Sequence, residues 1–271
     1  MRFLYMLTCL LLYNHSKAQH TGAKQQAMAG TSLTSFDVYA ASNSIAASAF
    51  VKETKLGLFF SNSFLFPEIN SLNLSITQAI KHGNFAYTIN YFGFSHYNTS
   101  SIGFGYANQF GENLGLGLRF NYHRISIIEH GSKSAISFDL GLLYSFNEKV
   151  RLSISIRNPA KQQIGKDYKE TLPTNFLIGA SFHPNSKIDL AWQFEKDLQL
   201  PLRAILGINY RLHSIISLRT GISIHPLLLS GGLGLSIKKT QLDISSTWDT
   251  HLGYSPQISI SYVISKKKQP E

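Results

Sequence analysis

The sequence lacks the features that define most other classes of protein. Cysteine occurs once, at Cys9, which leaves the rest of the chain without disulfides or cysteine-based metal sites. Charged residues make up only 15% of the 271 residues, against about a quarter in typical soluble domains. No apolar run beyond residue 18 approaches the roughly 18 residues that a membrane-spanning helix needs. Hydrophobic residues nevertheless reach 44% and aromatic residues 12%, which excludes a disordered chain and favours an all-β one.

The first residues have the pattern of a secretory signal peptide. Arg2 precedes an apolar stretch over residues 3–13, and Ser16-Lys17-Ala18 places small residues before a cleavage site. We predict a signal peptide over residues 1–18, with cleavage between Ala18 and Gln19. Cys9 lies inside it. Without Arg2 and Lys17 the chain has 23 basic and 15 acidic residues, a net charge of about +8.

Apolar and polar residues alternate repeatedly along the rest of the chain. Leu114, Leu116, Leu118 and Phe120 occupy one face of such a segment, with polar residues and glycine between them. About 14 segments of this kind follow residue 55, at a spacing of about 15 residues. Strands of roughly 10 residues joined by turns are typical of transmembrane barrels. The pattern predicts an all-β fold, a transmembrane antiparallel β-barrel of about 14 strands.

The polar face of these segments carries nearly all of their charges. In a soluble sandwich this face would meet water, whereas in a membrane barrel it lines the lumen and the apolar face meets lipid. The predicted lumen-facing polar ladder consists of Arg119, Asp139, Arg151, Arg157, Asp189, Glu195, Arg203, Arg211, Arg219, Asp243 and Asp249. Because its arginines and carboxylates nearly balance, we interpret the ladder as structural.

Loop lengths favour the membrane barrel over a soluble periplasmic β protein, which stays an alternative. Tight connections, such as residues 81–84 and 147–149, alternate with longer ones, of which residues 158–173 are the longest. Outer-membrane barrels have short periplasmic turns and long extracellular loops. An even strand number then puts both ends of the barrel, residues 53–265, on the periplasmic side, followed by a basic tail over residues 266–271.

Residues 19–52 differ from the barrel pattern, since they are rich in Ala, Ser and Gly and have no two-residue period. Their length suits a short N-terminal plug segment inside the barrel. We expect Arg–carboxylate pairs to bridge wall and plug. The alternative is a disordered leader.

The sequence provides little evidence for catalysis. The ten histidines are scattered, with no paired metal-binding motif, and no nucleophile elbow or phosphate-binding loop occurs. We predict no enzymatic activity, no catalytic, cofactor-binding or metal residues, no cofactor and no nucleic-acid partner.

Four stretches have a distinctive composition: residues 21–32, with Thr-Gly-Ala at their start, Asp37-Val38-Tyr39-Ala40, residues 170–180 around Leu172-Pro173, and the closing stretch 252–260. Together they resemble FadL-like outer-membrane β-barrel proteins of the PorV/PorQ type from Bacteroidota. One departure is that Ser42-Asn43-Ser44-Ile45-Ala46 stands where the family has an Asn-Pro-Ala-Gly stretch. The resemblance covers most of the mature chain in short pieces.

The resemblance implies a location in the Gram-negative cell outer membrane and a non-enzymatic role. The main prediction is an accessory of protein export or surface attachment, as in type IX secretion, with secretion-machine or exported surface proteins as partners at residues 158–173. The alternative is a FadL-like channel for hydrophobic or small molecules, with a hydrophobic ligand, although the polar inward positions count against an apolar lumen. A third hypothesis is a purely structural barrel or scaffold with no cargo. Outer-membrane lipid is an expected partner in each case.

Overall fold

The fold is a closed antiparallel β-barrel of 14 strands, as the alternation predicts. The computed structural model describes residues 20–129, 131–165 and 170–266. The predicted signal peptide and residues 267–271 of the predicted tail lie outside the described residues. Among those described, no helix is long and apolar enough to cross a membrane.

The elements follow the chain in a simple order. An inner segment, residues 20–51, contains helices α1 (Ala23–Ala27) and α2 (Ala40–Asn43) and a 3-10 helix (Ile45–Phe50). A second 3-10 helix, Ser63–Leu65, follows the first strand. The strands are β1 (Glu53–Asn62), β2 (Asn70–Ile80), β3 (Gly83–Gly93), β4 (Tyr97–Phe110), β5 (Leu114–Ile127), β6 (Gly131–Ser145), β7 (Val150–Arg157), β8 (Gln163–Ile164), β9 (Glu170–Thr171), β10 (Asn175–Phe182), β11 (Ile188–Asp197), β12 (Arg203–Arg211), β13 (Ile216–Ile224), β14 (Leu228–Ile237), β15 (Thr240–Asp249) and β16 (Gly253–Lys266).

Each wall strand pairs with its neighbour in sequence, with one interruption. β7 pairs with β10, because β8 and β9 form a separate small hairpin in the connection between them. β1 pairs with β16 and closes the barrel. The connections from β2, β4, β6, β10, β12 and β14 are short turns at one end, which we call the short-turn rim. The other end, the long-loop rim, has the two longest connections, residues 63–69 and 158–174, beside several of only three residues.

The wall has an apolar outer face and a polar inner face because side chains alternate across each strand. On β6, Ile136 is 64% exposed on the outside, whereas the neighbouring Ser137 is 3% exposed. Many large apolar side chains are exposed outward in this way. An outward apolar band around a closed barrel is the arrangement that lipid requires.

The inner segment is enclosed by the barrel wall. Most of its residues are buried, and it packs against glycines on the inner face of the strands. A Cβ atom added at Gly117 would lie 2.8 Å from the backbone carbon of Ile45, and one added at Gly221 would meet the backbone of Met28 and Ala29. These glycines therefore leave the space into which the segment fits.

Candidate functional site

A cavity of about 530 Å³ occupies the lumen on the long-loop side of the inner segment. This volume falls within the range of small-molecule sites, about 300–1,000 Å³. Its floor includes His20, Thr21 and Ser42 of the inner segment. The walls carry polar side chains of the strands, and apolar residues are contributed by the loops, among them Phe64, Ile164, Leu172, Leu198 and Leu200.

A row of charged and polar side chains crosses five strands in the lining of this cavity. The strand register aligns Arg119 on β5, Asp139 on β6, Arg157 on β7, Asn175 on β10 and Asp197 on β11. All five line the cavity. The register thus brings polar residues far apart in sequence into one belt, with charges of both signs.

Only part of that belt is ion-paired. Arg119 Nη2 lies 2.6 Å from Asp139 Oδ2, and Asn121 donates a hydrogen bond to the same oxygen. Arg157 has no carboxylate within 4 Å among the described residues, and its Nε has no hydrogen-bond partner. It donates instead from Nη2 to the carbonyl of Asn43 at 2.9 Å. Arg157 is therefore a cavity-lining cation without a carboxylate partner.

His20 connects the inner segment to the wall. Its Nε2 lies 2.5 Å from Glu195 Oε1 on β11, its Nδ1 lies 3.0 Å from Ser32 Oγ, and its ring is 3% exposed. Arg203 Nη1 approaches the other oxygen of Glu195 at 3.3 Å. Burial lowers the pKa of His20 below its usual value, and the nearby Glu195 opposes this shift.

Wall arginines hold the inner segment mainly through its backbone, and this corrects the expectation of Arg–carboxylate pairs between wall and plug. Arg119 donates to the carbonyl of Ala41, Arg157 to that of Asn43, and Arg203 Nη2 to that of Ala29 at 3.0 Å. The reason is compositional: Asp37 is the only carboxylate of the segment, and it binds Lys24 within the segment at 3.2 Å. Among the described residues, His20–Glu195 is the one close contact of a basic side chain with a carboxylate between segment and wall, and it becomes an ion pair only when His20 is protonated.

Asp37 organises the segment internally. Besides Lys24, it accepts hydrogen bonds from Gln25 Nε2 at 2.7 Å and from Ser35 Oγ at 2.8 Å. Burial alone would raise the pKa of Asp37, but Lys24 and these hydrogen bonds outweigh it and the pKa is lowered. The carboxylate is therefore ionised at neutral pH.

The predicted ladder residues fall into three groups. Arg119–Asp139, Arg203–Glu195 and Arg219–Asp243 are ion pairs between wall strands, the last at 2.6 Å and almost fully buried. Arg151, Arg157, Asp189 and Asp249 are buried or half-buried on the inner side without joining those pairs. Arg211 differs from the expectation: it is exposed at the short-turn rim, where Nη1 donates to the carbonyl of Ser186 at 2.8 Å. The reason is that β12 ends at Arg211.

Some important residues were outside the sequence prediction. Gln193 accepts hydrogen bonds from the backbone N–H groups of Ser32 and Leu33 at 3.0 and 3.2 Å. Asn84 donates to the carbonyls of Ser48 and Val51. Both lie on the polar face of a strand. An uncharged amide among serines, however, does not indicate from the sequence that its side chain will bind the backbone of the inner segment. His20 gave no signal either, since it lies two residues from the predicted cleavage point.

A second cavity, of about 540 Å³, lies on the outer side of the wall. It is lined by apolar side chains of β5 and β6, by Gln162 and by Ser137, which also lines the first cavity. The cause is a step in the wall: pairing of β6 with β7 ends at Asp139–Arg157, so residues 131–137 of β6 extend beyond β7. We call this step the wall notch.

Comparison with known proteins places the fold. No family model and no curated protein matches the chain by sequence. Solved structures do match. The CymD monoaromatic hydrocarbon channel has a TM-score of 0.68 at 15% identity, covering 92% of this chain and 98% of that one. The P. putida toluene transporter TodX gives 0.67 at 12%, covering 93% and 100%, and a Pseudomonas aeruginosa FadL homologue gives 0.63 at 11%, covering 90% and 98%.

The fold is that of a FadL-like barrel. The match spans nearly the whole length of both chains. Together with the outward apolar band, it indicates an outer-membrane protein. The similar structures are described as channels and transporters.

Proposed function

We propose that this FadL-like barrel is a passive conduit for hydrophobic or amphipathic small molecules across the outer membrane. The observation that carries the proposal is the pair of cavities that share Ser137, one inside the lumen and one at the lipid-facing wall notch. The inner segment acts as the plug that closes the lumen beneath the first cavity. The fold of the hydrocarbon transporters supports this function over the others.

The chemistry of the two cavities suggests how a molecule would be received. Apolar loop side chains at the long-loop rim can take up an apolar group, while the belt with Arg119, Asp139 and Arg157 offers hydrogen bonds to a polar group. The notch presents Phe120, Ile136 and other apolar residues to lipid. A small hydrophobic molecule fits this arrangement, and the belt can meet a polar group if the molecule carries one.

The export role that the resemblance to PorV/PorQ proteins implies ranks second. No similar structure named above is described as an export component, and residues 166–169 of the loop expected to bind a partner lie outside the described residues. Its test is a pull-down of the detergent-extracted barrel, in which recovery of exported surface proteins would favour it.

The direct test is uptake by cells that carry the barrel in their outer membrane. We expect faster uptake of radiolabelled toluene than in cells without the barrel, and no change for a labelled disaccharide. Ser137→Phe, which places a bulky ring at the residue that lines both cavities, should reduce the gain. Ser101→Phe is the matched control, since Ser101 lines only the inner cavity. Equal uptake of toluene with and without the barrel would refute the conduit, and faster disaccharide uptake would identify an open pore.

A further inference from the structure

The charges of the barrel are divided unevenly between its two rims. Among the described residues, the short-turn rim carries Lys52, Lys55, Lys81, Lys149, Lys187, Arg211, Lys238 and Lys239 against Glu53, Glu112 and Glu148. The long-loop rim carries Arg124, Lys133, Lys161 and Lys196 against Glu68, Glu129 and Asp197. With four cations against three carboxylates the long-loop rim is nearly balanced, whereas the short-turn rim has eight cations against three carboxylates among the described residues.

Five of these cations form a continuous series, the cationic arc: Lys149, Lys187, Arg211, Lys238 and Lys239. They lie in successive turns around the barrel, and neighbouring turns are hydrogen-bonded to each other. His183 N donates to the carbonyl of Lys149 at 2.8 Å, and Arg211 N to that of Lys187 at 2.7 Å. All five are exposed, and none is paired with a carboxylate among the described residues. Glu148 is the only carboxylate within these turns, so the arc has a net positive charge.

The arc lies directly beside the lipid-facing band. Phe146 precedes Lys149 by three residues, and Tyr210 precedes Arg211 by one; both rings are exposed on the outer face. Phe182 occupies the same position before the next turn. Aromatic side chains at the end of an apolar band mark the level of the membrane interface. The cations of the arc are therefore placed at the height of lipid headgroups.

We propose that the cationic arc binds the phosphate groups of anionic phospholipids in the periplasmic leaflet. Short turns of outer-membrane barrels face the periplasm, and lysine and arginine near a membrane surface attract anionic lipids. An acidic protein partner would need a patch on the end of the barrel. The arc instead follows the circumference, where each cation is next to a lipid-facing side chain. This inference is independent of whether the lumen conducts.

The test is lipid binding by the purified barrel, measured by native mass spectrometry with equal amounts of phosphatidylglycerol and phosphatidylcholine. The variant Lys149→Gln/Lys187→Gln/Arg211→Gln removes three cations of the arc. The variant Arg124→Gln/Lys161→Gln/Lys196→Gln removes three from the nearly balanced rim and is the matched control. Heat-modifiable migration on gels verifies that each barrel is folded.

We expect the natural sequence to retain phosphatidylglycerol preferentially. Each surface cation contributes about a fivefold preference, so loss of three should lower it by tenfold or more, and high salt should weaken it. The control variant should keep it. Equal losses in both variants would overturn the proposal. The absence of a preference for phosphatidylglycerol in the natural sequence would overturn it as well. If the triple variant does not fold, Lys187→Gln compared with the charge-conserving Lys187→Arg answers the same question.

Discussion

Replacing Gly221 by valine should loosen the inner segment while leaving the barrel closed. Gly221 lies on the inner face of β13, and a Cβ atom there would meet the backbone of Met28 and Ala29, the latter nitrogen at 2.6 Å. Backbone atoms cannot rotate away as a flexible side chain can. The segment must therefore shift. Overpacking of this kind typically costs about 1–3 kcal/mol, which is roughly a fivefold to 150-fold increase in the population with a displaced segment.

A buried thiol can report that population. Ser44 is 1% exposed and its hydroxyl has no hydrogen-bond partner, and Cys9, within the predicted signal peptide, is the only natural cysteine. In Ser44→Cys, labelling by a small maleimide should proceed only when the segment leaves its site. Gly221→Val should raise the labelling rate by the same fivefold to 150-fold factor.

The control is Gly231→Val, on the neighbouring strand. Gly231 is exposed on the outer face, and the nearest atom to an added Cβ is the carbonyl oxygen of Arg219 at 3.8 Å. The rate should stay at that of Ser44→Cys alone. If Gly221→Val labels no faster than Gly231→Val, the glycines do not make room for the segment, and the packing argument fails.

Three further predictions concern the same contacts. Because burial lowers the pKa of His20, neutral His20 stabilises the docked segment above pH 6.5, the ordinary pKa of histidine, and this stabilisation is lost as the pH falls below that value. Labelling of the buried thiol, normalised to free cysteine, should therefore rise from pH 7 to pH 5. A flat pH profile would contradict this. Asp243→Asn leaves the Arg219 cation buried without its carboxylate and should lower the free energy of unfolding in urea by about 3–5 kcal/mol. The double replacement Arg219→Met/Asp243→Leu should lower it by less. An equal loss in both variants would show that the two residues are not coupled. Asn84→Ala removes the donor to two segment carbonyls and should cost about 1–3 kcal/mol of docking, seen as faster thiol labelling, whereas an unchanged rate would mean that the segment is held elsewhere.

The outer surface of the barrel was predictable because lipid imposes one rule on every strand. The alternation at Leu114, Leu116, Leu118 and Phe120 gives both the strand and its outward face, and the structure confirms β5 there. The number of strands follows from counting such segments. These properties are local, so no knowledge of strand partners is needed to derive them.

The cavities were not predictable because they depend on register and on one short strand. Arg119 and Asp139 are 20 residues apart, and their contact follows from the pairing of β5 with β6. The wall notch exists because β7 ends at Arg157, before Asn158-Pro159. Proline cannot continue a ladder, so the end of the strand was visible in the sequence. Its consequence for the wall was not visible, since that depends on the length of β6.

The inner segment shows an intermediate case. Its small residues indicate close packing, and the glycines on the polar strand faces, such as Gly117 and Gly221, mark where it touches the wall. The type of contact was wrong in the sequence analysis, because a pattern of charges does not show whether arginine will meet a carboxylate or a carbonyl.

The inner segment is held mainly through hydrogen bonds to its backbone, so those of its own side chains that make none of these bonds can be replaced without loss of them. The N–H and carbonyl of Thr21 are held by the amide of Asn43 at 2.8 and 2.7 Å, while Thr21 also lines the cavity. A substitution at Thr21 can therefore change the lining of the cavity and leave the bonds that fix the segment in place.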